Sequence, residues 1–150
     1  MYRNILVPLD SSETAARGLR EAIGLAQGLK ARLVLLHVVD GVALMVDMSA
    51  TFSSAEMLTA LQREGSDLLA LAREKATAAD VESDSSLREI QGGGVADAIV
   101  DEARLRHCDL IVMGTHGRRG LRHLVLGSDA EEVVRRSAVP VLLVRDAVAV

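Results

Sequence analysis

The feature that most constrains this chain is a regular alternation of short apolar runs with longer segments of helical periodicity. The runs RNILVPL, ARLVLLHVV and DLIVM are almost wholly apolar, so strands formed by them need cover on both faces. Strands of this kind are typical of a parallel sheet with helices packed on its two sides. The pattern therefore predicts an α/β three-layer sandwich in the order β-α-β-α-β-α-β-α-β, with right-handed crossovers.

Periodicity and turn residues give bounds for these elements. Strands are predicted at residues 3–9, 31–39, 86–91, 109–113 and 139–144, and helices at 11–30, 54–79, 95–107 and 128–137. The strand at 86–91 is polar, which indicates an edge position.

Asp10 with Glu13, and Ser11 nearby, provide capping groups for the first helix. Gly65 lies on the apolar stripe of the second helix, where it permits a neighbour to approach closely. Residues 40–53 are predicted to form a loop.

Length and composition exclude several classes of protein. A chain of 150 residues, 49% hydrophobic, is long enough for one well-buried core, and we expect a single domain over residues 1–150. The net charge of −4 disfavours a grip on duplex nucleic acid, and the scarcity of aromatic residues disfavours stacking on single strands. No apolar run has the length of a membrane span or a signal peptide, so we expect a cytoplasmic protein. The single cysteine, Cys108, excludes an internal disulfide framework and a cysteine-ligated zinc site.

Two loops have the composition of a ligand site. Open parallel sheets bind ligands at the carboxyl ends of their strands, where the strand order reverses. One candidate loop is Pro8-Leu9-Asp10, and the other begins at Gly114 and ends at Gly127 and Ser128. If the first and fourth strands are neighbours, both loops face one crevice.

The chemistry of the second loop favours phosphate. Glycines let backbone amides approach an anion, and the start of the following helix adds partial positive charge. Ser128 can donate a hydrogen bond to a phosphate while capping that helix, and basic side chains lie within the loop: Arg118, Arg119, Arg122 and His123. A plain glycine-rich turn with Ser128 as its N-cap is the alternative. The loop matches neither a Walker A sequence nor a dinucleotide fingerprint.

Five spaced blocks resemble the universal stress protein family. The pattern Gly114-x2-Gly117-x9-Gly127-Ser128 is similar to the ATP-binding signature of that family. NILVPLD, LVLLHVVD, DLIVMGTHGRRG and VPVLLVR also resemble family blocks, in order and at the expected separations. The resemblance covers nearly the whole chain, and residues 40–53 are the least typical part.

The resemblance implies a fold, a ligand and an assembly. It implies a five-stranded parallel sheet in the order 3-2-1-4-5, of the adenine nucleotide alpha hydrolase-like type. It also implies ATP, alone or with Mg²⁺, as the ligand of a homodimeric regulatory or protective protein in the stress response, with strand 139–144 at the dimer contact. The implied nucleotide contacts fall in three groups. The adenosine is contacted by Pro8, Leu9 and Asp10, and the adenine by Val38. The ribose and phosphates are approached by Met113, Gly114, His116 and Gly117. The phosphates are bound by Gly127, Ser128, Asp129 and Ala130.

Several residues admit a second interpretation. Asp129 stands where the family commonly has valine, and a carboxylate there opposes triphosphate binding. Asp10 can hold adenosine, cap the first helix, or do both. His37 is interpreted as a satisfied core or interstrand histidine, and the backbone of His116 as more important than its ring. A slow ATPase or nucleotidyl-transfer enzyme is the alternative function, but neither Asp10 nor Asp129 is a compelling catalytic base.

Overall fold

The structure of the protein, a computed structural model, describes residues 1–42, 54–116 and 126–146. Nine regular elements alternate along these residues. The strands are β1 (Asn4–Pro8), β2 (Arg32–Asp40), β3 (Ser83–Ile90), β4 (Leu110–Gly114) and β5 (Val141–Val144). The helices are α1 (Glu13–Leu29), α2 (Ser54–Ala78), α3 (Val95–Leu105) and α4 (Ser128–Arg136). Within the described residues no helix is both long and apolar enough to cross a membrane.

The five strands form one parallel sheet in the order β3-β2-β1-β4-β5. The predicted strand order is therefore confirmed. The polar strand β3 lies at one edge, as predicted, and β5 lies at the other. From β1 the chain adds β2 and β3 on one side, and then crosses back to place β4 on the other side of β1. The strand order thus reverses between β1 and β4, and their carboxyl ends lie side by side.

Each face of the sheet is buried under its own pair of helices. Ile5 and Val7 point into a core closed by apolar residues of α1 and α2, while Leu6 points into a second core closed by α3 and α4. All three side chains are 0% exposed. The two-sided burial explains why the central strands are apolar at every position rather than at alternate ones.

Most elements begin or end within two residues of the predicted bounds, and the start of β3 differs by three. Strand β3 begins at Ser83, earlier than the predicted residue 86, because backbone pairing with β2 extends through the polar residues SDSS. Helix α1 begins at Glu13, and its cap is Ser12, whose hydroxyl accepts from the Ala15 N–H at 3.2 Å. The expectation that Asp10 or Ser11 caps this helix is therefore wrong. Of the predicted loop 40–53, residue 40 belongs to β2 and residues 43–53 lie outside the described part of the chain.

Ion pairs hold the polar edge strand to helix α3. The buried carboxylate of Glu102 accepts from Nη1 of Arg88 at 2.7 Å and from Nε of Arg106 at 3.1 Å. Arg106 also donates to Asp84 on β3 at 3.0 Å. A hydrogen bond from the Ser85 backbone N–H and the nearby Arg106 guanidinium lower the pKa of Asp84. These ion pairs thus help to hold β3 at the edge of the sheet, where its few apolar side chains contribute little packing.

The one cysteine of the chain, Cys108, is buried close to these ion pairs. Cys108 is 6% exposed, and burial raises the pKa of its thiol to about 11. Since the thiolate is the reactive form, burial and the raised pKa disfavour a nucleophilic role for Cys108. This agrees with a structural role.

Gly65 on α2 provides the close approach expected of it. A Cβ at this position would lie 2.5 Å from Cδ2 of His37 and 2.8 Å from Cδ1 of Leu87. We predict that Gly65→Ala lowers the free energy of unfolding by about 1–3 kcal/mol, because the imidazole and Leu87 must shift. The exposed helical glycine Gly24 is the matched control, since a Cβ there meets nothing within 4 Å. Gly24→Ala should stabilise by about 0.5–1 kcal/mol, and chemical denaturation of both variants measures the two effects. Equal effects of the two substitutions would contradict the packing described here.

Candidate functional site

A crevice opens at the carboxyl ends of β1, β2 and β4, where the strand order reverses. Its volume is about 500 Å³, within the range of small-molecule sites. The loop after β1 forms one wall, the end of β4 and the start of α4 form another, and side chains of α2 and α3 close the remaining sides. The crevice therefore lies where open parallel sheets bind ligands.

The predicted site residues, which are spread over the whole chain, converge on this crevice. Those that line it are Pro8, Leu9, Asp10, Val38, Met113, Gly114, His116, Gly127, Ser128, Asp129 and Ala130. Gly117, Arg118, Arg119, Arg122 and His123 lie outside the described residues. Every predicted site residue that the structure describes thus contributes to one cavity.

Strand β2 fixes the loop that follows β1. The Leu9 N–H donates to the Leu36 carbonyl at 2.7 Å, and Nδ1 of His37 lies 2.7 Å from the Leu9 carbonyl oxygen. Because a carbonyl oxygen can only accept, Nδ1 of His37 carries the hydrogen. The histidine is therefore satisfied, as expected, and its partner belongs to the wall of the crevice. Asp10 follows immediately, and its carboxylate accepts from the Ser12 N–H at 2.8 Å.

The start of α4 lies against the end of β4 because Gly127 has no side chain. Its N–H donates to the Thr115 carbonyl at 2.8 Å, and a Cβ would lie 2.9 Å from the same oxygen. The φ angle of Gly127 is −59°, which any residue adopts, so the requirement for glycine is steric. Gly127 itself is the N-cap, and Ser128 is the first residue of the helix. The expectation that Ser128 caps α4 is therefore wrong. Ser128 does line the crevice, as predicted.

The described walls of the crevice are acidic. Carboxylates of Asp10, Asp40, Glu64 and Asp129 line it, together with the imidazoles of His37 and His116. Among the described lining residues there is no lysine or arginine. Favourable charge for an anion comes from the first turn of α4, whose leading N–H groups have no partner within the helix. In the described part of the chain, no group of three or more histidine, cysteine or acidic residues is placed to hold a metal ion.

Some contacts behind the walls have no counterpart in the predicted site. Thr14, on the first turn of α1, donates a hydrogen bond from its hydroxyl to the His116 carbonyl, and it is 3% exposed. The sequence signal was the hydroxyl-rich start of the helix, SSET, which indicates capping without naming a partner. The contact of His37 with Leu9 could not be predicted from local sequence either, since it joins residues 28 positions apart.

Comparisons with known proteins agree on one family. A sequence model of the universal stress protein family matches residues 1–145. A universal stress protein of Methanocaldococcus jannaschii is 33% identical over 145 residues, which are 97% of this chain and 83% of that protein. The structure of a protein from the universal stress protein family of Burkholderia pseudomallei has a TM-score of 0.78 at 33% identity, covering 95% of this chain and 96% of that one.

Two more distant structures contain a nucleotide. One is a universal stress protein in complex with cAMP, with 24% identity, a TM-score of 0.66 and coverage of 95% of this chain and 96% of its own. The other is a universal stress protein from Archaeoglobus fulgidus in complex with dAMP, with 23% identity, a TM-score of 0.67 and coverage of 95% and 98%. At this level of identity, the two structures establish a shared fold.

Proposed function

Because the chain belongs to the universal stress protein family, we propose that it is an adenine-nucleotide-binding member whose ligand is ATP. The observation that carries the proposal is the convergence of the described signature residues on one crevice of about 500 Å³ at the strand-order reversal. Proteins of the same fold in complex with cAMP and dAMP support an adenine nucleotide as the ligand. In this proposal the protein is a single cytoplasmic domain with a regulatory or protective role in the stress response.

The two walls of the crevice would contact different parts of the nucleotide. Leu9 and Asp10, with Val38 on β2, would contact the adenosine, and the start of α4 would face the phosphates. The close packing of Gly127 on Thr115 brings the first turn of α4 to the lining of the crevice. Backbone N–H groups at a helix start are well suited to phosphate oxygens.

The acidic walls favour a nucleotide that binds together with a cation. ATP brings several negative charges into a crevice whose described lining includes four carboxylates, those of Asp10, Asp40, Glu64 and Asp129. We propose that Mg²⁺ accompanies the nucleotide and offsets part of this charge, as hard cations bind phosphate and carboxylate oxygens together. Phosphoryl transfer would further need a positioned nucleophile, and neither Asp10 nor Asp129 is a compelling base for it from the sequence. We therefore favour binding and regulation over catalysis.

A homodimer through residues 139–144 is the proposed assembly. Strand β5 is an edge of the sheet, and an uncovered edge invites pairing with a second copy. Leu142 on β5 is 39% exposed, whereas Leu143 packs towards the core under α3 and α4. Val134 on the adjacent helix α4 is also exposed. The outward side chain of Leu142 is thus the one that a partner would cover.

Gly127→Val tests the proposed function directly. We expect wild-type protein to bind ATP, and the variant to lose about tenfold to hundredfold in affinity, because a side chain at 127 pushes α4 away from Thr115. Gly28→Val is the control, since a Cβ at Gly28 meets nothing within 4 Å. Calorimetric titration measures all three proteins. Absence of ATP binding by the wild type would refute the function, and an unaffected Gly127 variant would refute the phosphate-side assignment.

Asp129→Ala tests the charge argument. Removing this carboxylate should tighten ATP binding by about threefold to tenfold without metal, and by less when Mg²⁺ is present, since a cation offsets the repulsion. Glu132→Ala changes the net charge equally on the same helix, at a position outside the lining of the crevice. Titrations with and without magnesium compare the two variants. Identical affinities of wild type and Asp129→Ala under both conditions would mean that this carboxylate has no influence on the ligand.

Sedimentation tests the proposed assembly. We expect the wild type to sediment as a dimer at micromolar concentration and Leu142→Asp to sediment as a monomer, because a buried carboxylate opposes the interface. Leu71→Asp is the matched control, as Leu71 is 52% exposed on α2, far from β5 in the fold. A monomeric wild type would overturn the assembly outright.

A further inference from the structure

Three elements that are remote in sequence hold the dipeptide Thr115-His116 at the point where the chain leaves β4. The Thr115 N–H donates to the Val144 carbonyl at 3.0 Å, and the Thr115 carbonyl accepts from the Gly127 N–H at 2.8 Å. At the next residue, the His116 carbonyl accepts the hydroxyl hydrogen of Thr14. Strand β5, helix α4 and helix α1 therefore meet at two consecutive residues.

The contact with Thr14 is built into the packing of α1 on β4. A Cβ at Gly114 would lie 2.8 Å from the backbone carbon, the Cβ and the Oγ1 of Thr14, so only glycine at 114 leaves room for this threonine. Gly18, one turn further along α1, also faces the backbone of Gly114, and a Cβ there would lie 3.4 Å from its nitrogen. The hydroxyl of Thr14 thus reaches the His116 carbonyl because two glycines bring the helix and the strand together.

Thr14 stands behind the crevice rather than in it. Its neighbours Ser12 and Ala15 line the cavity, but Thr14 does not, and its side chain is buried. The hydroxyl of Ser12 lies 3.3 Å from that of Thr14 and 3.4 Å from the His116 carbonyl, at the edge of hydrogen-bond distance. Thr14 therefore reaches the lining of the crevice through its neighbours, and its bond to the His116 carbonyl is the contact that leads to Thr115 and α4.

We propose that Thr14 is a positioning residue for the phosphate side of the crevice: its hydroxyl fixes Thr115-His116, and this dipeptide fixes the start of α4. The inference rests on the proposed nucleotide function. On the adenosine side, Leu9 is fixed by hydrogen bonds to Leu36 and His37 on β2 rather than by Thr14. Loss of the Thr14 hydroxyl should consequently weaken binding of the phosphate chain and spare binding of the nucleoside.

A pair of variants that differ by one oxygen atom tests this inference. Thr14→Ala and Thr14→Ser both lose the methyl group, but only Thr14→Ser keeps the hydroxyl. Calorimetry measures ATP affinity, and displacement of a fluorescent ATP analogue measures adenosine affinity. We expect Thr14→Ala to bind ATP about tenfold more weakly and adenosine within twofold of the wild type, while Thr14→Ser stays within threefold for both. Thr59→Ala is the control, because Thr59 donates to a backbone carbonyl on the exposed side of helix α2.

Hydrogen exchange gives a second readout that needs no ligand. We expect faster amide exchange at the start of α4 in Thr14→Ala than in Thr14→Ser, with exchange in α2 unchanged. An equal loss of ATP and adenosine affinity, or uniformly faster exchange, would show general loosening and overturn the inference. Unchanged ATP affinity in Thr14→Ala would overturn it as well. Failure of the wild type to bind any adenine nucleotide would instead refute the proposed function, and exchange at α4 would then decide the role of Thr14 alone.

Discussion

Burial of both faces of the central strands is the constraint on which the rest of this structure depends. Ile5, Leu6 and Val7 are all fully buried, so helices must cover the sheet on each side. A chain of right-handed crossovers covers both sides only by reversing direction, and it does so between β1 and β4. The reversal separates the helices at that point and leaves the crevice. The location of the candidate site is therefore a consequence of how the core is closed.

Close backbone contact gives the crevice its shape. Gly114 admits Thr14, and Gly127 admits the Thr115 carbonyl, each at a distance that a Cβ would prevent. Neither position needs an unusual backbone angle, since positive φ among the described glycines is confined to Gly92 and Gly93. The glycines of the signature thus act by bringing α1 and α4 onto the end of β4, and the first turn of α4 is presented to the crevice as a result.

Most of the fold and much of the candidate site could be predicted from local pattern. Apolar runs and helical periodicity predicted all nine elements. The position of Pro8-Leu9-Asp10 after the first strand pointed to one wall of the crevice, and the glycine spacing pointed to the other. The predictions failed where main-chain pairing or long-range contacts determine the bounds of an element or the partner of a side chain. Ser83 joins β3 through main-chain pairing that its polar side chain does not signal. Ser12 rather than Ser11 caps α1, a difference of one position that depends on the path of the chain. Thr14 meets His116 across 102 positions, a contact that no local pattern contains.

The central claim is that this crevice binds an adenine nucleotide, and amide chemical shifts measured during titration with ATP and Mg²⁺ test it most directly. The account predicts shift changes concentrated at the two walls, in Leu9, Asp10, Val38, Gly114 and residues 127–130, with the edge strand β3 unaffected. Absence of any change at millimolar ATP, or changes centred away from these walls, would contradict the account.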